Sequence, residues 1–222
     1  AYTDTAGSWA AEVIDKAESY GLITGYPDGT FGLGRQMSRA EFVTVLCRMF
    51  GWETVTPDQP SYADCPASKW CYGSVETALA HDVVDGGGFF RPDDYISREE
   101  MAVMLVRSLG YDTLAQSLTD VELPFVDVTD NRGYIAMAYE MGLVNGLGSS
   151  LFVPQRAATR EQAAVILSRL YGKLHPVRQE TIAMVRSGET LPDFTGCQTA
   201  VLMAGTLTGG QSPRFAPSGS EK

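Results

Sequence analysis

Apolar residues recur at helical spacing in short blocks, and the blocks alternate with stretches rich in Gly, Pro and Asp. In the first block Trp9, Ala10, Val13, Ile14 and Ala17 follow i, i+4, i+8 spacing, and the pattern breaks at Gly21. The run GYPDGTFGLG (25–34) is too punctuated by Pro and Gly to continue a helix. A second helix is predicted from about Ser38, with Phe42, Val45, Leu46 and Met49 on one side. The same alternation returns with Val75, Leu79, Val103, Leu105 and Val106, then with Ile135, Ala138, Tyr139, Val165, Ile166 and Leu167. The pattern predicts an all-α chain of helix–loop–helix units.

The units are copies of one another. Tyr2-x-Asp4 recurs as Tyr62-x-Asp64 and Phe125-x-Asp127, each followed by an aromatic near a helix start: Trp9, Trp70 and Tyr134. Ser38-Arg39-Ala40-Glu41 recurs as Ser97-Arg98-Glu99-Glu100 and Thr159-Arg160-Glu161-Gln162. Phe31, Phe90 and Phe152 stand seven residues ahead of each box, and Arg48, Arg107 and Arg169 nine beyond its arginine. The period is about 60 residues, which gives repeats at 1–53, 61–110 and 124–172. One helix pair buries too little surface to fold alone, so 1–172 is expected to share one core. Residues 173–222 fall outside the pattern. They read as a C-terminal extension, helical from Pro176 to Val185 and flexible at 209–222.

The repeated box has a structural meaning and an open one. S/T-x-x-E/Q is a capping box, in which hydroxyl and carboxyl satisfy each other's backbone amides for about 1 kcal/mol per cap. Its arginine sits at the first helical position, where the dipole disfavours a cation. Two explanations stand for Arg39, Arg98 and Arg160. Each pairs with an acidic neighbour such as Asp4, Asp64 or Asp127, or each joins the helix N-terminus to bind a carboxylate or phosphate. Trp9, Trp70 and Tyr134 are either core aromatics or platforms for a sugar ring. Asp28, in YPDG, is a turn residue by composition and a ligand candidate by position.

Composition narrows the function. A net charge of -10 excludes a diffuse basic surface for nucleic acid. No apolar run is long enough to span a bilayer, and AYTDTAGSWAAEV has neither the basic start nor the apolar core of a signal peptide. With His81 and His175 alone, a His-based zinc site or Ser–His–Asp triad has little to draw on, and no cofactor or metal is expected. DVTDNRGY (127–134) fails as a calcium loop, because Gly133 is one place late and the last ligand is missing. Cys65 and Cys71 flank the CPASKWC loop, where an oxidised pair fits an extracellular chain, and Cys47 reads as a buried thiol. No carboxylate pair stands outside the repeat logic, so an enzyme is not expected.

The run YTDTAGSWAAEVIDKAESYGLITGYPDGTF, followed by SRAEFVTVLCR, resembles an S-layer homology domain, present here in three tandem copies. The resemblance covers about 170 residues. It implies a pseudo-threefold helical bundle with ligand grooves between repeats. It also implies non-covalent anchoring to the bacterial cell wall through a secondary cell-wall polysaccharide, often capped by a pyruvate ketal. The family's box arginine maps onto Arg39, Arg98 and Arg160, and the chain is expected outside the cell as part of a longer surface protein. Departures point to unequal grooves. Glu99 stands beside Arg98, Gln162 ends the third box, Leu147-Gly148-Ser149-Ser150 replaces Tyr-Pro-Asp-Gly, and repeat one lacks the Pro two residues after Phe31. Arg39 is then the leading single candidate. A scaffold that keeps the fold without glycan binding is the alternative.

Overall fold

A computed structural model describes residues 2–175. Ala1–Leu170 form one compact unit and Tyr171–Lys222 a second, of which only residues 171–175 are described. The helix expected at Pro176–Val185 and the tail at 209–222 lie outside the described residues. Seven helices run in order: α1 Ala11–Ser19, α2 Arg39–Phe50, α3 Tyr72–Ala80, α4 Arg98–Ser108, α5 Asp112–Ser117, α6 Arg132–Glu140 and α7 Arg160–Leu174. The described residues hold no strand, only isolated bridges, so the class is all-α. None of these helices is long and apolar enough to cross a membrane.

Equivalent positions of the three repeats bury the same faces. Ile14, Val75 and Ile135 are fully buried on the first helices, as are Leu46, Leu105 and Leu167 on the second. Phe31, Phe90 and Phe152 are likewise buried at the loop ends. α5 lies between repeats two and three and buries only Ala115, too little for an apolar period to announce. It packs against α6 closely enough that a Cβ on Gly133 would meet the Ala115 carbonyl.

The capping boxes of α2 and α4 form in full, with Ser38–Glu41 and Ser97–Glu100 each exchanging both bonds. The third is half made. Gln162 Oε1 accepts from Thr159 N at 3.3 Å, but the buried Thr159 hydroxyl has no partner.

The residues just before the three caps close a cycle across the core. Met37 N donates to Ala158 O (3.0 Å), Ala158 N to Ile96 O (2.9 Å), and Ile96 N to Met37 O (2.9 Å). These segments would otherwise carry unpaired backbone groups inside the protein, so the repeats satisfy one another.

The aromatic-x-Asp motif ties each repeat to its own loop. Asp4 accepts from the amides of Phe31, Gly32 and Leu33 at 2.7–3.0 Å. Asp64 accepts from Phe90 and Arg91, and Asp127 from Phe152 and Val153. The aromatic partner packs on the same phenylalanine, at 5.6 Å for Tyr2–Phe31 and Tyr62–Phe90 and 5.3 Å for Phe125–Phe152. The alternative that these aspartates pair directly with the box arginines is therefore corrected: their oxygens are spent on loop amides, and Asp127 acts on Arg98 only through space.

The Phe31 amide holds Asp4 below the usual carboxylate range, and the Phe152 amide does the same for Asp127. Lowered carboxyls stabilise the fold above their unfolded pKa of about 3.9, and that stability is lost as pH falls through the lower folded values. Circular dichroism is expected to show an acid transition below about pH 4. A doubly Asp4→Asn, Asp127→Asn protein should be less stable at neutral pH and respond less to acid. An unchanged acid profile would remove this role.

Candidate functional site

The box arginines stand at the first residues of α2, α4 and α7, as expected, and are only 5–8% exposed. The carbonyls of the next repeat offset the unfavourable dipole. Arg39 Nε donates to Phe90 O (2.9 Å), Arg98 Nε to Phe152 O (2.8 Å) and Arg160 Nε to Phe31 O (3.1 Å). Each guanidinium also lies over that phenylalanine's ring, 4.5–5.1 Å from the centroid. Every such Phe is thus gripped at its N–H by its own Asp and at its C=O by the preceding repeat's Arg.

The first backbone amide of each of these helices is already taken. Arg39 N donates to Asp94 O, Arg98 N to Arg156 O and Arg160 N to Arg35 O. In α2 and α4 the second amide goes to Pro92 O or Pro154 O, and the third to the cap hydroxyl. What remains for an anion at the starts of α2 and α4 is the guanidinium.

The three guanidinium groups differ in their counter-charge. Glu100, the box acid of repeat two, meets Arg39 at 2.6 Å, and Glu41 of repeat one meets Arg160 at 3.4 Å. By the same step Gln162 of repeat three should serve Arg98, but it carries no charge. Among the described residues Arg98 forms no salt bridge with a carboxylate; its Nε donates to Phe152 O and its Nη2 to Asn145 O. Arg160 is fully engaged, with Nη2 on Thr24 O (2.8 Å). Burial lowers the pKa of Arg98, and Arg156 adds to that, with Asp127 opposing. A buried cation without a hydrogen-bonded counter-ion is costly, which gives this seam the strongest electrostatic reason to take up an anion.

Arg39 borders a cleft of about 230 Å³ that also draws in Asp85, Arg91, Glu99, Arg107 and Asn131. Glu100 bridges Arg39 and Arg91 there. Burial pushes its carboxyl up, but the Ser97 amide and the two arginines outweigh this and leave it below its ordinary value. Arg107 meets Asp85 (3.0 Å) and Asp112 (2.8 Å). Glu99 does not pair with Arg98. It accepts from Asn131 and Gln155.

The other candidates divide. Trp9 and Trp70 are 70% and 64% exposed, so neither is a core aromatic, and both stand two residues ahead of their helix. Tyr134 is a correction. It lies inside α6, is buried, and its hydroxyl donates to Asp112, so no sugar can stack on it. The residue two ahead of α6 is Asp130, not an aromatic. Asp28 accepts from the amide and hydroxyl of Thr30, as a turn residue does.

Sequence reasoning missed Glu41 and Glu100 as seam partners, although Gln162 in their place was the available signal. It also missed Arg91 and Asp85 in the Arg39 cleft.

The profile of the S-layer homology domain family matches residues 1–43, 61–102 and 124–164. An endoglucanase of Bacillus sp. (strain KSM-635) is 31% identical over 209 residues, 90% of this chain and 21% of its own. An amylopullulanase of Thermoanaerobacterium thermosulfurigenes is 28% identical over 78% of this chain and 10% of its own. The middle cell wall protein of Brevibacillus brevis is 29% identical over 72% of this chain and 14% of its own. The chain thus spans between about a tenth and about a fifth of the length of these relatives.

Proposed function

Because the chain belongs to the S-layer homology domain family, we propose that it anchors a longer surface protein by gripping an anionic wall polysaccharide at its repeat seams. The family's domain is a cell-wall-binding module of the bacterial surface, and it is not catalytic. The ligand we assign is a secondary cell-wall polysaccharide whose charge is a carboxylate, as in a pyruvate ketal. This reading takes the cyclic bonds as the trace of a pseudo-threefold arrangement with one groove per seam. The observation that carries it is the arginine repeated at all three seams, and foremost Arg98, a buried guanidinium with no carboxylate salt bridge among the described residues. In this role a ligand carboxylate supplies the charge that Gln162 does not.

Trp9 and Trp70 are assigned to sugar faces on the strength of their exposure. Each Trp→Ala change is expected to weaken wall binding about 3–10-fold, from the 0.5–1.5 kcal/mol of a ring contact. Stability should move by less than about 0.5 kcal/mol, because neither ring is in the core. Co-sedimentation with purified walls, native and stripped of polysaccharide, tests the function. Retention by native walls alone supports it, and equal retention by both defeats it.

A second reading, a scaffold without glycan binding, rests on the ion pairs that already neutralise Arg39 and Arg160. It expects no loss of partner binding when wall polysaccharide is removed.

A further inference from the structure

We propose that Cys65 and Cys71 form a disulfide in the surface-exposed protein, closing the loop that carries Trp70 onto the start of α3. Their sulfurs lie 3.8 Å apart, and both side chains are fully buried. Each is held from a different side. Cys65 N donates to Tyr62 O, and the neighbouring Asp64 is fastened to the Phe90 and Arg91 amides. Cys71 caps α3, with its carbonyl taken by Val75 N. Small side-chain rotations bring such a pair to bonding distance, about 2.05 Å.

The pair is local to one repeat. The residue after the motif Asp is Thr5 in repeat one and Val128 in repeat three, and the residue before the first helix is Ala10 or Asn131. The two cysteines replace two positions that face each other, and replace them together. Cys47 is separate, with its thiol donating to Ser74 O.

The inference rests on the cell-surface location, where disulfides persist, and not on the glycan. The oxidant is the disulfide of a thiol oxidoreductase. One cysteine loses its proton and attacks that disulfide, releasing one carrier thiol and leaving a mixed disulfide. The second cysteine, also deprotonated, attacks the first one's sulfur and expels the other carrier thiol. Two electrons and two protons end on the carrier, now a dithiol. Burial pushes the Cys65 thiol up to about 12 and raises Cys71 as well, so exchange belongs to folding, before the loop closes. Once closed, the bond is shielded from reductants.

Full-length protein harvested from a bacterial surface is alkylated under denaturing, non-reducing conditions, digested and mapped by mass spectrometry. The expected result is a Cys65–Cys71 linked peptide with Cys47 alkylated. Alkylation of both Cys65 and Cys71, or linkage of either to any other cysteine of the chain, overturns the proposal. A Cys65→Ser, Cys71→Ser protein should melt roughly 5–10 °C lower than the oxidised form. An unchanged melting temperature would contradict a loop-closing role. Wall binding is scored separately: a linked chain that fails to bind walls defeats the glycan reading alone, and a wall-bound chain with both thiols alkylated defeats this one alone.

Discussion

Gln162→Glu is expected to weaken binding of a pyruvylated wall polysaccharide by about 10–100-fold, the worth of one charge-assisted hydrogen bond. In repeats one and two the box acid uses one oxygen for its own cap amide and the other for the preceding repeat's arginine. A carboxylate at position 162 would do the same for Arg98 and compete with the ligand. The protein should also become more stable, because the buried guanidinium gains a permanent partner, and its melting temperature should rise by a few degrees. The reverse change, Glu100→Gln, should free Arg39, lower stability and strengthen anion binding at that seam. Calorimetric titration and thermal melts on the same samples check the pair. If Gln162→Glu leaves affinity unchanged, Arg98 is not the seat of anion recognition.

Arg160→Ala is expected to destabilise the protein by about 3–5 kcal/mol, a fall in melting temperature of about 10 °C or more. Its three bonds reach Phe31 O, Thr24 O and Glu41, across as many as 136 residues of chain. They return repeat three to repeat one and so close the cycle. Truncation leaves two carbonyls and a carboxylate short of a donor, and each such loss in a buried place carries a full desolvation cost. Tyr26, whose ring centre lies 4.8 Å from the Arg160 guanidinium carbon, also loses that contact. Arg160→Lys should recover less than half, since an ammonium cannot fork to three acceptors. Differential scanning calorimetry decides it. A loss under about 1 kcal/mol, the range of a surface ion pair, would show that arginines do not hold the seams.

This second result bears on binding assays. Replacing all three arginines by alanine would remove ligand contacts and seam bonds together, so lost binding in that protein has two causes. Substitutions at Gln162 and Glu100 change the charge facing an arginine while leaving the arginine in place.

The helices were legible because a 3.6-residue period needs only apolar spacing, and Ile14, Leu46 and their counterparts obey it. The boxes on α2 and α4 were legible because both partners lie within four residues. Longer-range partners were not. Backbone amides and carbonyls have no sequence signature, so nothing in Asp4 announces the Phe31 amide, nor anything in Arg39 the Phe90 carbonyl. An Asp and an Arg repeated three times invite the inference that they pair, but each Asp turns to loop amides and each Arg to the next repeat's Phe carbonyl. Glu100 and Glu41 are the acids that meet Arg39 and Arg160. Tyr134 was misassigned because an aromatic near a helix start was taken for the one before it. Counting from α6 puts Asp130 in that place. α5 escaped because its stability comes from Arg107–Asp112 and the close approach to Gly133, not from an apolar face.

The most direct measurement is a calorimetric titration of the full chain with pyruvylated wall polysaccharide and with the same polysaccharide after removal of the pyruvate. Anion recognition at the seams requires saturable binding of the first and loss of at least tenfold in affinity for the second. Equal affinity for both, or no binding to either, would contradict it.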